Sequence, residues 1–183
     1  MIRQPNAADN ATAADAQPAR EPSWLSPSEQ DSWQAFMRMQ EVLRARLERS
    51  LAARSDLSAA DYSVLAALSQ SPGRAMRPVD LGRALGWEKS RLHHQLTRMC
   101  TRGLVARRPL PAEGSRAVEV ACTADGLDAI SAAAPEHARD VRRWVLDALT
   151  AEQLDRLGEI SRAVLRNLDD EQGAGASAPR LRM

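Results

Sequence analysis

Between Pro78 and Cys122 the apolar residues change their spacing, and that change limits the fold more than any other feature of the chain. Val79, Leu81, Leu85, Leu92, Leu96 and Met99 recur at helical intervals. Leu104 to Arg108 then reads as a strand, and Val118, Val120 and Cys122 alternate with Ala117, Glu119 and Ala121, the two-residue period of a second strand running back. From Thr123 the helical interval returns through Leu127, Ile130, Ala134, Val141 and Val145. The only strand signal in a helical chain is therefore one short hairpin, with a polar, basic turn over Pro109 to Gly114.

Helix punctuation divides the remainder. Ser26-Pro27-Ser28-Glu29 places an N-cap serine, a proline at the first helical position and a glutamate three residues past the cap. A long helix follows, with Trp33, Phe36, Met37, Leu43, Leu47 and Leu51 near one stripe. Ser58 and Asp61 cap a second helix bearing Tyr62, Leu65 and Leu68, and Ser71-Pro72-Gly73 breaks the chain. Pro78 opens a short third helix that Gly86 ends, and a fourth runs from about Glu88 to Arg102 before Gly103. A fifth helix is predicted from Thr123 through Leu149, kinked or broken near its middle by Pro135. Thr150 and Gln153 form a capping box for a sixth, carrying Leu154, Leu157, Ile160, Val164 and Leu168. Residues 1–24 and 169–183 are polar or Ala/Gly/Pro-rich without period, and they read as disordered tails.

Charge is distributed unevenly. The formal net charge is only +1. Yet the segment Arg74–Arg116 holds ten basic residues against three acidic ones, while the rest of the chain is acidic on balance. A basic block on a near-neutral protein points to a polyanion at one face. The short helix, the Gly86 turn and the helix that follows have helix-turn-helix spacing. In that motif the N-terminal part of the second helix meets base edges in the major groove. Lys89, Ser90, Arg91, His93, His94 and Gln95 lie there, off the Leu92–Leu96–Met99 face, with Arg98 and Arg102 beyond. Arginine can grip guanine and glutamine can grip adenine. Arg116, beside the hairpin turn, suits a narrow minor groove. The expected partner is double-stranded DNA, and the competing account of these residues is a solvated arginine-rich surface.

In their order and spacing, Leu81-Gly82-Arg83-Ala84-Leu85-Gly86, Ser90 to Met99, Arg102-Gly103-Leu104-Val105-Ala106-Arg107-Arg108-Pro109, Ser115-Arg116-Ala117-Val118 and Thr123-Ala124-Asp125-Gly126 resemble the MarR-type transcriptional regulators, over roughly Ser26 to Leu168. The resemblance implies a mainly α winged helix-turn-helix fold with a two-stranded wing. It implies a DNA-binding lobe over about 57–122 and dimerisation helices over about 27–53 and 123–168, drawn from both ends of the chain. It also implies a homodimeric repressor on a pseudo-palindromic operator, commonly relieved by a small aromatic or phenolic effector. Gly114 stands where the family's wing usually carries an acidic residue, and His93 and His94 replace other polar residues.

Trp33, Tyr62 and His137 are candidate ligand-binding residues, weighed against ordinary core packing. Trp144 reads as dimer packing and Trp87 as a wedge between the two key helices. His93 and His94 point to different helix faces, which argues against a shared metal, so no metal or other cofactor is expected. Cys100 and Cys122 have no CxxC spacing and read as small core residues in a reducing cytoplasm. No apolar run is long enough for a membrane span, and no secretory leader is evident at the start. Neither GxSxG, a P-loop, HExxH nor GxGxxG occurs, so an enzyme is not expected. A winged-helix protein-interaction module that does not bind DNA is the alternative function.

Overall fold

A computed structural model describes residues 24–110 and 118–175, with side chains through Leu168. Helix α1 spans Pro27–Arg54. At its start the Ser26 N–H donates to Glu29 Oε2 at 2.7 Å, and the Glu29 N–H donates to Ser26 Oγ at 3.4 Å. Helix α2 (Ala59–Ser69) begins with the reciprocal Ser58–Asp61 box. A 3-10 turn at Pro72–Arg74, with Gly73 at φ 64°, leads into β1 (Ala75–Met76). There follow α3 (Pro78–Leu85), α4 (Lys89–Thr101), β2 (Val105–Pro109), β3 (Val118–Cys122), α5 (Ala124–Trp144) and α6 (Ala151–Gly175). The Thr150–Gln153 box caps α6 as expected, with bonds of 2.9 and 3.2 Å.

The contacts divide the chain into two units, residues 1–39 and 40–183. In the first, the Trp33 and Phe36 rings lie 5.9 Å apart on α1, and Trp33 is 52% exposed. The second holds the core. Val64, Leu65 and Leu68 of α2 meet Leu81 of α3, Leu92, Leu96 and Met99 of α4, Val105 and Val120 of the sheet, and Ile130 of α5. Each leucine or valine so buried stabilises the fold by roughly 1.5–3 kcal/mol before entropy is counted. At Gly126, in the first turn of α5, a Cβ would stand 2.0 Å from the Leu104 carbonyl oxygen, so only glycine lets α5 seat against the start of β2.

Three antiparallel strands form the sheet, in the order β1-β3-β2. Val105 pairs with Cys122, Arg107 with Val120 and Pro109 with Val118, while Ala75 pairs with Ala121. The mainly α winged architecture is as expected, but the sheet has one strand more than the hairpin. A two-residue strand has no room to display alternation. Ala121, expected on the open face, is buried as well, since β1 flanks it and β3 packs against α2, α3 and α5.

Two helix ends differ from expectation. Helix α5 runs unbroken through Pro135 and stops at Trp144, followed by a 3-10 turn at Leu146–Ala148. Proline removes one donor from the ladder, a loss that a long helix packed on a core tolerates. Helix α6 continues seven residues past Leu168, into the segment read as tail; of these only Glu171, Gln172 and Ala174 are good helix formers, beside Asp169, Asp170, Gly173 and Gly175, so propensity alone does not mark the extension. The expected tails at residues 1–23 and 176–183 lie outside the described residues, as does the turn carrying Arg116.

Candidate nucleic-acid interface

Helix α3 starts at Pro78, whose missing N–H is harmless at a first position, and ends at Gly86 with φ 62° and ψ 34°. That left-handed residue reverses the chain so that the Trp87 N–H reaches the Gly82 carbonyl at 2.9 Å. Trp87 is half-buried against the core, filling the angle between α3 and α4 as a wedge. The guanidinium carbon of Arg91 lies 4.3 Å above the Trp87 ring, a cation–π contact that restrains an otherwise free arginine.

With Leu92, Leu96 and Met99 turned inward, α4 leaves Lys89, Ser90, Arg91, His93, His94 and Arg98 exposed. An open furrow of about 870 Å³ runs between the α3–α4 pair and the sheet. Lys89, Ser90, His93 and His94 line one side of it, and Arg107 of β2 lines the other. Arg107 was not singled out from the sequence, although it belongs to the basic block. Strand alternation puts it on the same face as the buried Val105, but the burial of that face fades along β2, so that Arg107 is exposed at its outer end.

Gln95 requires a correction. It is 3% exposed, so its amide is not available to an adenine on an outside partner. Its Nε2 donates to Asp61 Oδ1 at 2.6 Å, and its Oε1 accepts from Arg98 Nη2. The spacing Leu92, Gln95, Leu96, Met99 is the i, i+3, i+4, i+7 pattern of one helix face, which is the signal that could have placed it inward. Arg102 is also committed within the molecule: its guanidinium donates to Asp61 Oδ2 at 2.6 Å and to the Asp56 carbonyl at 2.5 Å. Burial pushes the Asp61 carboxyl upward, but hydrogen bonds from the Ser58 backbone and hydroxyl, together with Arg102, outweigh it and hold the carboxyl below its ordinary range.

The ligand candidates separate. The Tyr62 and His137 rings stack with centroids 4.3 Å apart. Both line an open groove of about 710 Å³ with Leu43, Leu47 and Leu51 of α1 and Ala66 of α2. Burial pushes the Tyr62 phenol up and His137 down, the latter opposed by Asp140. Trp33 belongs to the first unit. Cys122 is buried and its thiol is pushed up by that burial, against a smaller opposing influence of Arg74, while Cys100 is half-buried. The His93 and His94 rings meet edge to face at 5.9 Å, both exposed. Among the described residues, no helix is long and apolar enough to cross a membrane.

Comparison with known proteins decides the family. A MarR family model matches residues 55–114, the span from the α2 cap to the wing turn. AbsC, a MarR family transcriptional regulator from Streptomyces coelicolor, is 34% identical, with 80% of this chain and 98% of that one covered at a TM-score of 0.76. The chain belongs to the MarR family. Another MarR family regulator from the same organism, Sco3205, solved in complex with DNA, is 33% identical over 82% of this chain and 93% of its own, with a TM-score of 0.77. A mutant MarR from E. coli complexed with operator DNA shares the fold at 23% identity and a TM-score of 0.66, covering 74% of this chain and 94% of that one. No curated protein matches the sequence. This MarR family transcriptional regulator therefore carries its basic helix-turn-helix on a framework held by Trp87, Asp61 and Arg102.

Proposed function

We propose that this MarR family regulator is a ligand-responsive repressor that binds a pseudo-palindromic DNA operator as a homodimer in the cytoplasm. The observation that carries the reading is the exposed face of α4, where Lys89, Arg91, His93, His94 and Arg98 stand clear of the core, with Arg107 across the furrow. Helix α4 would enter the major groove, with Ser90 and Arg91 near its positive N-terminus. Arg116 at the wing tip would reach the flanking minor groove. Sco3205, similar over most of its length, is a regulator solved with DNA, which favours the same partner here.

The homodimer rests on α6. Ile160, Val164, Leu165 and Leu168 are exposed there, Ile160 by 60%, and a contiguous apolar stripe on a long helix favours coverage by a second copy. Such a dimer would set two α4 helices about one DNA turn apart, roughly 34 Å. The groove around Tyr62 and His137 is apolar enough for a small aromatic effector, which would release DNA by binding better to a dimer whose α4 helices are misspaced. Fluorescence anisotropy against a duplex selected from random sequence tests the reading. Arg91→Ala and Arg98→Ala should each weaken binding about 5- to 100-fold, and affinity should fall steeply with salt. Unchanged affinity in both variants would favour the protein-interaction module instead.

A further inference from the structure

The side chain of Gln95 joins an anion to a cation. A carboxylate can only accept hydrogen bonds and a guanidinium can only donate them, so two groups of opposite kind on neighbouring helices can be joined through an amide, which does both. Gln95 Nε2 donates to Asp61 of α2 and its Oε1 accepts from Arg98 of α4, fixing the amide's orientation without ambiguity. Asp61 is itself immobile: the Ser58 N–H and hydroxyl donate to it at 2.9 and 2.8 Å, and Arg102 donates at 2.6 Å. Arg98, in contrast, is exposed, with its backbone on the same face as Arg91 two turns earlier.

We propose that Gln95 is a positioning residue for DNA recognition: it transmits the fixed geometry of the Asp61 carboxylate to the guanidinium of Arg98, holding that arginine in the orientation in which it meets the duplex. This rests on the proposed DNA-binding function. An exposed arginine freezes several rotors when it docks, and that lost freedom weakens binding. A pre-formed bond from the protein side removes part of that cost before DNA arrives. Gln95 does not touch DNA in this account, and its removal acts only through Arg98.

The test is a double-mutant cycle on affinity for a selected duplex, with thermal melting of each variant as a control. Gln95→Met keeps the volume and leaves Asp61 with three of its four donors, and Gln95→Asn keeps the amide on a stem too short to span both partners. Each is expected to weaken binding about 10-fold, and adding either to Arg98→Ala is expected to weaken binding no further than Arg98→Ala alone. Nitrogen-15 NMR of the Arg98 guanidinium provides a readout that a merely structural role would not move: slow rotation in the parent protein, fast rotation in Gln95→Met. Multiplying effects in the cycle, or parent affinity in both Gln95 variants, overturns the inference while leaving DNA binding intact. A parent protein that binds no duplex overturns both.

Discussion

Replacing Asp61 by asparagine probes the joint on which the α2–α4 packing turns. The native carboxylate accepts from the Ser58 N–H at 2.9 Å, the Ser58 hydroxyl at 2.8 Å, Gln95 at 2.6 Å and Arg102 at 2.6 Å. Asparagine offers one oxygen and turns an NH2 group toward donors. With its oxygen at the Oδ2 place it keeps the two Ser58 bonds and the Arg102 bond without their charge assistance, and its NH2 faces Gln95 Nε2, so that bond is lost; a bond to a charged group contributes about 1.5–3 kcal/mol and a neutral one about 1 kcal/mol. Arg102 is 41% exposed and regains water, which offsets part of the loss. The expected net cost is about 3 kcal/mol, or a fall of roughly 6–12 °C in melting temperature for a chain of this size. The assay is thermal unfolding by circular dichroism at pH 7 and at fixed protomer concentration, since dimerisation shifts apparent stability. The effect also has a pH signature. The folded carboxyl lies below its unfolded value of about 3.9, so its contribution is complete above that value and fades as pH falls through the folded one. The gap between parent and Asp61→Asn should therefore close in acid. A loss under about 1 kcal/mol at pH 7, or a gap that persists unchanged well below pH 3.9, would refute the reasoning.

Gly126→Ala sets a methyl 2.0 Å from the Leu104 carbonyl oxygen and 3.1 Å from Leu65 Cδ2, and denaturant unfolding should show a loss above about 3 kcal/mol or no folded protein. Gly86→Ala keeps open space around the new methyl but strains a left-handed φ of 62°, and the same assay should show a milder loss of about 1 kcal/mol. Trp87→Leu removes the ring beneath Arg91 and should weaken duplex binding several-fold, measured by anisotropy beside Arg91→Ala, in which no further loss is expected. Burial lowers the His137 pKa against the opposing influence of Asp140, so the neutral imidazole is the native form; stability should decline as pH drops below about 6.5, and His137→Phe should flatten that decline between pH 7 and 5.

Local chemistry made most of the framework legible. The caps at Ser26, Ser58, Thr123 and Thr150 and the left-handed Gly86 and Gly103 depend on residues within four positions, and each falls where the pattern put it. What escaped depends on partners far along the chain. Strand β1 exists because Ala121 lies 46 positions away to receive it, and Gln95 is inward because Asp61 awaits it on α2. A polar residue on an apolar helix face reads as exposed until its buried partner is known. Pro135 reads as a break from its local cost alone, whereas α5 is anchored before it by Ile130 and Ala133 in the core and after it by the buried Asp140, which accepts from Ser50 of α1. General pocket chemistry offers Trp33, Tyr62 and His137 together as ligand candidates, and the stacking of Tyr62 on His137 across 75 residues follows no sequence period that could have singled out those two.

Selection of bound sites from a random duplex pool tests the claim that the outer side of α4 reads DNA. The account predicts an enriched inverted repeat with half-site centres about one helical turn apart, and loss of preference at one position in each half-site when Arg91 is replaced by alanine. A pool that emerges from repeated rounds without enrichment, or an enriched site that the Arg91→Ala protein binds with undiminished preference, would contradict it.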